Sequence, residues 1–340
     1  MKTARKQSDS TPTLSDIARE TRTSVSTVSR VLAGGLLASR ISDATRRRVR
    51  EAAHRLGYRP NLIARSLRTR QSHTVALMVS DIANPWFGQI AKLVEANLHR
   101  HGYSLMLCNS SGDAERESEY LRLLPQKGID GLILVPMLRQ RKALYDHIPS
   151  DLPLVILDRP IQGIPCSVSS DQEQLCGLLS DTLQGAGVKT VAIVCGPHYI
   201  VTHRERCELI SKRFDVIATS EGTAQKEAGR KAYEKFRGLR PDAIVCTNNF
   251  LGQGYIDAME SIDDAPIIGC FDDIPMMNHL PIPIACSNQD VDLLAESCVS
   301  QLLPQLRHEP FKPEPILLPS RAVTNVAFQK LVESRQHQRP

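Results

Sequence analysis

The sequence predicts an α/β protein: a three-helix module at the N-terminus, then two doubly wound parallel-sheet lobes in series. Three observations carry this. Residues 13–32, TLSDIARETRTSVSTVSRVL, place apolar residues at helical spacing in two short runs with a break between them. From Thr74 the texture changes to compact apolar runs separated by amphipathic stretches, as in a parallel sheet covered on both faces. That alternation begins again after residue 166.

Taken in order, the first helix carries Leu14, Ile17 and Ala18 on one stripe, with Thr13 or Ser15 able to cap its start. The break falls near Arg22 and Thr23. A second helix follows from about Val25 to Leu32, with Val28, Val31 and Leu32 inward and Ser26, Thr27, Ser29 and Arg30 outward. Residues 33–42 read as a loop. A third helix, about 43–56, turns Val49, Ala52, Ala53 and Leu56 inward and stops at Gly57. Tyr58-Arg59-Pro60-Asn61 leads into LIARSLRTRQS, a segment at helical spacing that is too short and too basic to stand alone.

In the body, strands are expected at TVALMVSDI, YSLMLCNS, DGLILVP and LPLVILDRP, with helices between them. After residue 166 come a helix at about 172–185 and the strands TVAIVCG, DVIATS, AIVCTNN, PIIGCFD and IACSNQ. The intervening helices fall at about 203–213, 224–237 and 251–260. A last helix at about 290–306 precedes a terminal strand, PILLPSRAV. Ligands in such sheets lie at the carboxyl ends of strands, here in a cleft between the lobes.

Charge divides the chain. Residues 1–72 hold 16 of the 42 Lys and Arg but 5 of the 37 Asp and Glu, so the head is strongly basic and the body mildly acidic. A basic head of this kind meets a polyanion. Small hydroxyls and an Arg on an exposed helix face reach phosphates and base edges in a major groove. The nine cysteines are scattered and form no CxxC pair, which reads as reduced core residues of a cytoplasmic protein, with no metal and no cofactor. No apolar run approaches a membrane span, and residues 1–12 are polar, unlike a signal peptide. Neither GxGxxG nor a P-loop is present, and no nucleophile has a base beside it, so an enzyme is not expected.

The opening motif, the YRPN step and the two-lobed body together resemble the lactose-repressor family of bacterial transcription regulators. The resemblance covers roughly residues 13–330 and is greatest to ribose-operon repressors. It implies a helix-turn-helix headpiece at 13–59, a hinge helix at 60–72, and a body of periplasmic-binding-protein type at 73–330. Lobe 1 would take about 73–162 with 290–318, and lobe 2 about 163–289 with 319–330. Residues 1–12 and 331–340 would be tails. By the same resemblance Val25 and Ser26 read bases, with Arg30 one turn on. Ser24, Thr27 and Ser29 take phosphates. Leu67 enters the minor groove, with Asn61 and Ala64 beside it.

For the cleft, the resemblance implies Asn84, Trp86 and Phe87, the pair Asp158 and Arg159, then Arg206, Asn248, Asp272 and Gln289. A polyol offers many hydroxyls and no charge, which suits such a set. The implied protein is a homodimeric repressor of double-stranded operator DNA, gated by ribose or a ribose-containing metabolite. A same-family sensor of a purine or phosphorylated sugar is the alternative, and the two aspartates disfavour a phosphate. A transport-type binding protein would have no use for the basic head. Four residues depart from the family pattern. Arg22 stands where the turn has glycine, so a differently shaped turn is expected. Leu209-Ile210 replace a glycine and an aromatic, and Cys270 replaces a glycine.

Overall fold

A computed structural model of the chain describes residues 12–33, 36–58, 71–262 and 265–337. The hinge residues Asn61, Ala64 and Leu67 lie outside the described residues, as do residues 1–11 of the expected tail. Two compact units are present, residues 1–72 and 73–340.

The N-terminal unit holds α1 (Leu14–Thr21), α2 (Val25–Ala33), α3 (Leu36–Ser39) and α4 (Asp43–Arg55). Thr13 caps α1 in a capping box with Asp16, satisfying two backbone donors that a helix start leaves open. Ile17, Ala18, Val28, Val31, Val49, Ala52 and Ala53 form its core. The short helix α3 corrects the expected loop. Arg22 is corrected too: it takes the left-handed conformation, φ 50° and ψ 45°, that glycine would take without strain. Its N–H still closes onto the end of α1, so the turn keeps its shape.

The body is built on two six-stranded sheets. The first runs β2 (Ser104–Asn109), β1 (Thr74–Val79), β3 (Gly131–Leu134), β4 (Leu154–Leu157), β5 (Ser167–Ser170) and β11 (Pro315–Leu318), all parallel. The second runs β7 (Asp215–Glu221), β6 (Thr190–Cys195), β8 (Ala243–Cys246), β9 (Ile267–Phe271), β10 (Ile284–Gln289) and β12 (Ser320–Thr324). Its β12 edge is antiparallel to β10. Helices α5 (Pro85–Arg100) and α12 (Val291–Leu306) supply one core of the first sheet, and α6 (Ala114–Gln126) and α7 (Arg141–Tyr145) the other. The second sheet is covered by α8 (Gln172–Gly185) and α9 (Val201–Ser211) on one face and α10 (Lys226–Phe236) and α11 (Asn249–Asp257) on the other.

Three expectations need correction. Residues 167–170, placed by the sequence in the second lobe, form β5 of the first sheet. Their sequence, Ser-Val-Ser-Ser, lacks the apolar run that marked the other strands, although all four are buried. The terminal strand expected over 315–323 is two strands, one in each sheet, divided at Pro319. Proline cannot donate to a ladder, and the chain crosses between lobes there. Lastly, much of the expected tail from 331 belongs to a helix, α13 (Val326–His337). Phe328, Leu331 and Val332, at helical spacing, pack on the second-lobe core. Only residues 212–214 separate α9 from β7, and Ile210 is fully buried.

Helices α10 and α11 touch through glycines. A Cβ on Gly254 would stand 1.9 Å from the Lys226 carbonyl oxygen, and one on Gly229 2.2 Å from that of Leu251. Gly254→Ala must therefore move backbone, and overpacking of this kind costs about 1–3 kcal/mol. The urea midpoint should fall accordingly. Gly177→Ala on α8, where a Cβ meets open space, should leave it unchanged or raise it.

Candidate functional site

In the body, the carboxyl ends of both sheets face one cavity of about 270 Å³. All nine cleft residues expected from the sequence line it: Asn84, Trp86, Phe87, Asp158, Arg159, Arg206, Asn248, Asp272 and Gln289. They come from six separate stretches of chain: five lie at or shortly after the carboxyl end of a strand (β1, β4, β8, β9 and β10), and the sixth, Arg206, comes from within α9.

The two lobes repeat one device. Asp158 directly follows β4 and Asp272 directly follows β9, and both hold left-handed backbone, φ 68° and 65°. Such strain in a non-glycine residue gathers at functional sites. Each carboxylate has a buried arginine. Asp158 Oδ2 is 3.4 Å from Arg159 Nε, and Asp272 Oδ2 is 4.0 Å from Arg206 Nη1.

The arginines are fixed from behind. Arg159 donates to the Pro136 carbonyl oxygen, to Met137 Sδ and to Ser80 Oγ. Arg206, on α9, donates through Nε to Gln172 Oε1 at 3.0 Å and through Nη1 to the Thr247 carbonyl oxygen at 2.9 Å. Its guanidinium lies 4.8 Å from the centre of the Phe271 ring. Gln289 donates through Nε2 to both oxygens of Asp272 at 3.2 Å and accepts from Ser170 Oγ at 2.9 Å. It positions Asp272.

Burial sets the protonation states. Asp272 is pushed up to about 6 by its loss of solvent, against the pull of Arg206 and Gln289. Arg159 is lowered by burial, against the pull of Asp158 and Glu117. His203, on α9, is held well below its ordinary value by burial and by Arg206 and Arg159. It is therefore a neutral imidazole. Thr247 Oγ1 accepts from Gly196 N–H and lies 2.7 Å from His203 Nδ1, a hydrogen bond that fixes the orientation of the imidazole.

Two expected contacts spend much of their capacity on structure. Asn84 caps α5 and exchanges hydrogen bonds with Asn249 across the cleft, Nδ2 to Oδ1 at 3.1 and 3.2 Å. Asn248 caps α11 and donates to the Ala224 carbonyl oxygen. Gln225 reaches Asp81 from the other lobe at 2.8 Å. Trp86 and Phe87 meet edge to face at 4.9 Å and supply an aromatic wall. Cys270, in place of the family's glycine, is buried in β9 with Sγ 3.2 Å from the Asn248 carbonyl oxygen.

Sequence reasoning missed several cavity residues, among them Ser80, Met137, His203, Gln225 and Phe250. A signal existed for some. Ser80 directly follows β1, and His203 precedes Arg206 by one helical turn on α9. Glu117 gave no local signal. It is fully buried on α6, accepts from the N–H groups of Met137 and Leu138, and is pushed up by burial.

The N-terminal unit presents a second candidate surface. Ser24, Val25, Ser26 and Arg30 are exposed on and before α2, and Thr27 and Ser29 are half-buried. Ser24 Oγ lies 2.8 Å from the hydroxyls of Ser26 and Thr27 and accepts from Thr27 N–H, which caps α2. Arg47, Arg48 and Arg50 are exposed on α4.

Residues 13–61 match the model described as bacterial regulatory proteins, lacI family. Residues 72–263 match that of the periplasmic binding proteins and sugar binding domain of LacI family. The chain belongs to the LacI family. It is a DNA-binding transcriptional repressor with a domain of the sugar-binding type, and its relatives are repressors, not enzymes. It is 30% identical to the ribose operon repressor of Bacillus subtilis (strain 168) over 90% of this chain and 95% of that one. It is 26% identical to the HTH-type transcriptional repressor PurR of Aliivibrio fischeri (strain MJ11), over 87% and 92%. In fold it matches the crystal structure of the lac repressor dimer bound to operator and the anti-inducer ONPF, with TM-score 0.81 and 23% identity, over 92% and 98%. Among the described residues no helix is long and apolar enough to cross a membrane.

Proposed function

We propose that this LacI-family protein holds a near-palindromic operator as a homodimer, and that a neutral, hydroxyl-rich sugar of the ribose class in the cavity changes that affinity. One observation carries the reading. The cavity pairs two carboxylates with two buried arginines, adds a neutral imidazole and has a third carboxylate, Asp81, on its wall, so it carries no excess of positive charge. An uncharged ligand with many hydroxyls satisfies such a site, whereas a phosphate would meet Asp158 and Asp272. The Trp86 and Phe87 wall suits the apolar face of a sugar ring. The names of the relatives, ribose operon repressor and PurR, span the ribose and purine readings.

The ligand acts only through its differential affinity for the operator-competent and operator-incompetent states. Operator binding measured across pentoses, nucleosides, purines and phosphosugars should weaken with ribose or a ribose-containing compound. A flat response to the first two classes removes the ribose assignment, and a response to purines alone replaces it.

In the headpiece, Arg30 is the side chain placed to contact a guanine with two hydrogen bonds, while Ser24, Thr27 and Ser29 take phosphates. Arg30→Ala should cost about 1–3 kcal/mol of operator binding and relax preference at one base position. Uniform weakening across all sequences would mark Arg30 as a phosphate contact instead.

A further inference from the structure

We infer that Cys195, His198 and Cys207 form a binding site for a thiophilic divalent cation of the zinc type, at the rim of the cavity. Their donor atoms all lie within 4.8 Å of one another. Two sulfurs and one imidazole nitrogen are a donor set zinc takes in tetrahedral sites whose fourth position is filled by water, at about 2.3 Å for sulfur and 2.0–2.1 Å for nitrogen. The spacing was legible but unrecognised: Cys195 and His198 form a CxxH pair, and a search for CxxC passes over it.

The surroundings are arranged from inside to outside. Cys195 ends β6 and is fully buried, Cys207 is half-buried on α9, and the His198 side chain is 47% exposed. An ion can enter past the imidazole and meet the two thiols behind it. Glu221, at the end of β7, stands where an outer-sphere carboxylate would. Its Oε1 accepts from the His198 backbone N–H at 3.0 Å, and its Oε2 is 3.9 Å from His198 Nδ1. Carboxylates that hydrogen-bond a metal-ligating imidazole orient it, and Glu221 would need to approach Nδ1 by about 1 Å to do so. Cys195 Sγ otherwise has a weak contact with the His203 carbonyl oxygen at 3.6 Å.

None of the three ligands lines the cavity, so the inference does not rest on the proposed effector. Their neighbours do line it: Pro197, Tyr199 and Ile200 in the loop, and His203 and Arg206 on α9. A bound ion would tie that loop to the helix that carries Arg206.

The test uses the full-length, reduced, chelator-treated protein with Co²⁺ as a spectroscopic probe, under exclusion of oxygen. One equivalent per chain should bind with thiolate-to-metal charge-transfer absorption and should be displaced by Zn²⁺. His198→Ala should weaken binding by about tenfold or more, and Cys207→Ser should abolish the charge-transfer bands. Zn²⁺ should raise the Tm of the parent protein but not of Cys207→Ser, with far-UV circular dichroism showing that both variants are folded. Co²⁺ spectra without thiolate bands, or bands that persist in Cys207→Ser, would overturn the site. So would a thiol count two short of nine in the protein before reduction, which would indicate a Cys195–Cys207 disulfide instead.

Discussion

Replacing Arg206 with methionine is expected to lower the stability of the body by about 3–5 kcal/mol, the cost of removing one partner from a buried charged pair. Arg206 is 4% exposed and holds Gln172, the Thr247 carbonyl and Asp272 together. Methionine fills much of the volume but leaves Asp272 and that carbonyl without their partner. Lysine would keep the charge and lose the planar fork, so Arg206→Lys should fall between parent and methionine variant. Urea unfolding without ligand measures this. A loss below about 1 kcal/mol for Arg206→Met would show that the pair contributes little to holding the lobe.

The second large effect is on pH. Asp272 is raised by burial to about 6 from an ordinary value of 3.8. Its folded form therefore binds a proton more readily than its unfolded form, and the folded state is favoured as pH falls through that interval. Between about pH 4 and pH 6 the ligand-free protein should lose up to about 3 kcal/mol of stability as pH rises, set by a shift of about two units at 1.36 kcal/mol each. Asp272→Asn removes this contribution, so the variant should gain on the parent as pH rises across the interval. If the stability difference between the two stays constant from pH 4 to pH 7, Asp272 does not titrate in that range. Under the proposed function the same group makes ligand affinity pH-dependent. Hydroxyls donating to Asp272 favour the carboxylate, so affinity should weaken as pH falls below about 6. Trp86, the single tryptophan and part of the cavity wall, reports this by fluorescence.

Much of the fold was legible because most of its strands are apolar on both faces. TVALMV, TVAIVC, AIVC and IIGCF are strands that covering helices bury completely or nearly so, and their shortness and β-branched content mark them as strands. The strand Ser167–Ser170 escaped because its side chains are small and polar; its neighbours bury it, not its own hydrophobicity. Helix Val326–His337 escaped because only Phe328, Leu331 and Val332 mark its inner face in an otherwise polar run. The conformation of Arg22 followed from closure of the helix end, which the chain achieves even without glycine.

At the cleft, the resemblance to the lactose-repressor family was enough to name nine side chains that share one cavity. Their division of labour was not. Sequence treats Asn84, Asn248 and Gln289 as equal hydrogen-bonding groups beside Asp158 and Asp272. The fold assigns the first two to helix caps and the third to holding Asp272.

The sequence by itself determined the order of strands and helices, the basic head, and which polar residues fall where strands end, because periodicity and charge are properties of neighbours along the chain. Only the tertiary structure decided that Glu117 holds the Met137 loop, that His203 is neutral between two arginines, that Asp272 titrates near 6, and that Cys207 meets Cys195 and His198. Those outcomes depend on desolvation and on contacts between residues far apart in the chain, and both arise only when the lobes close around them.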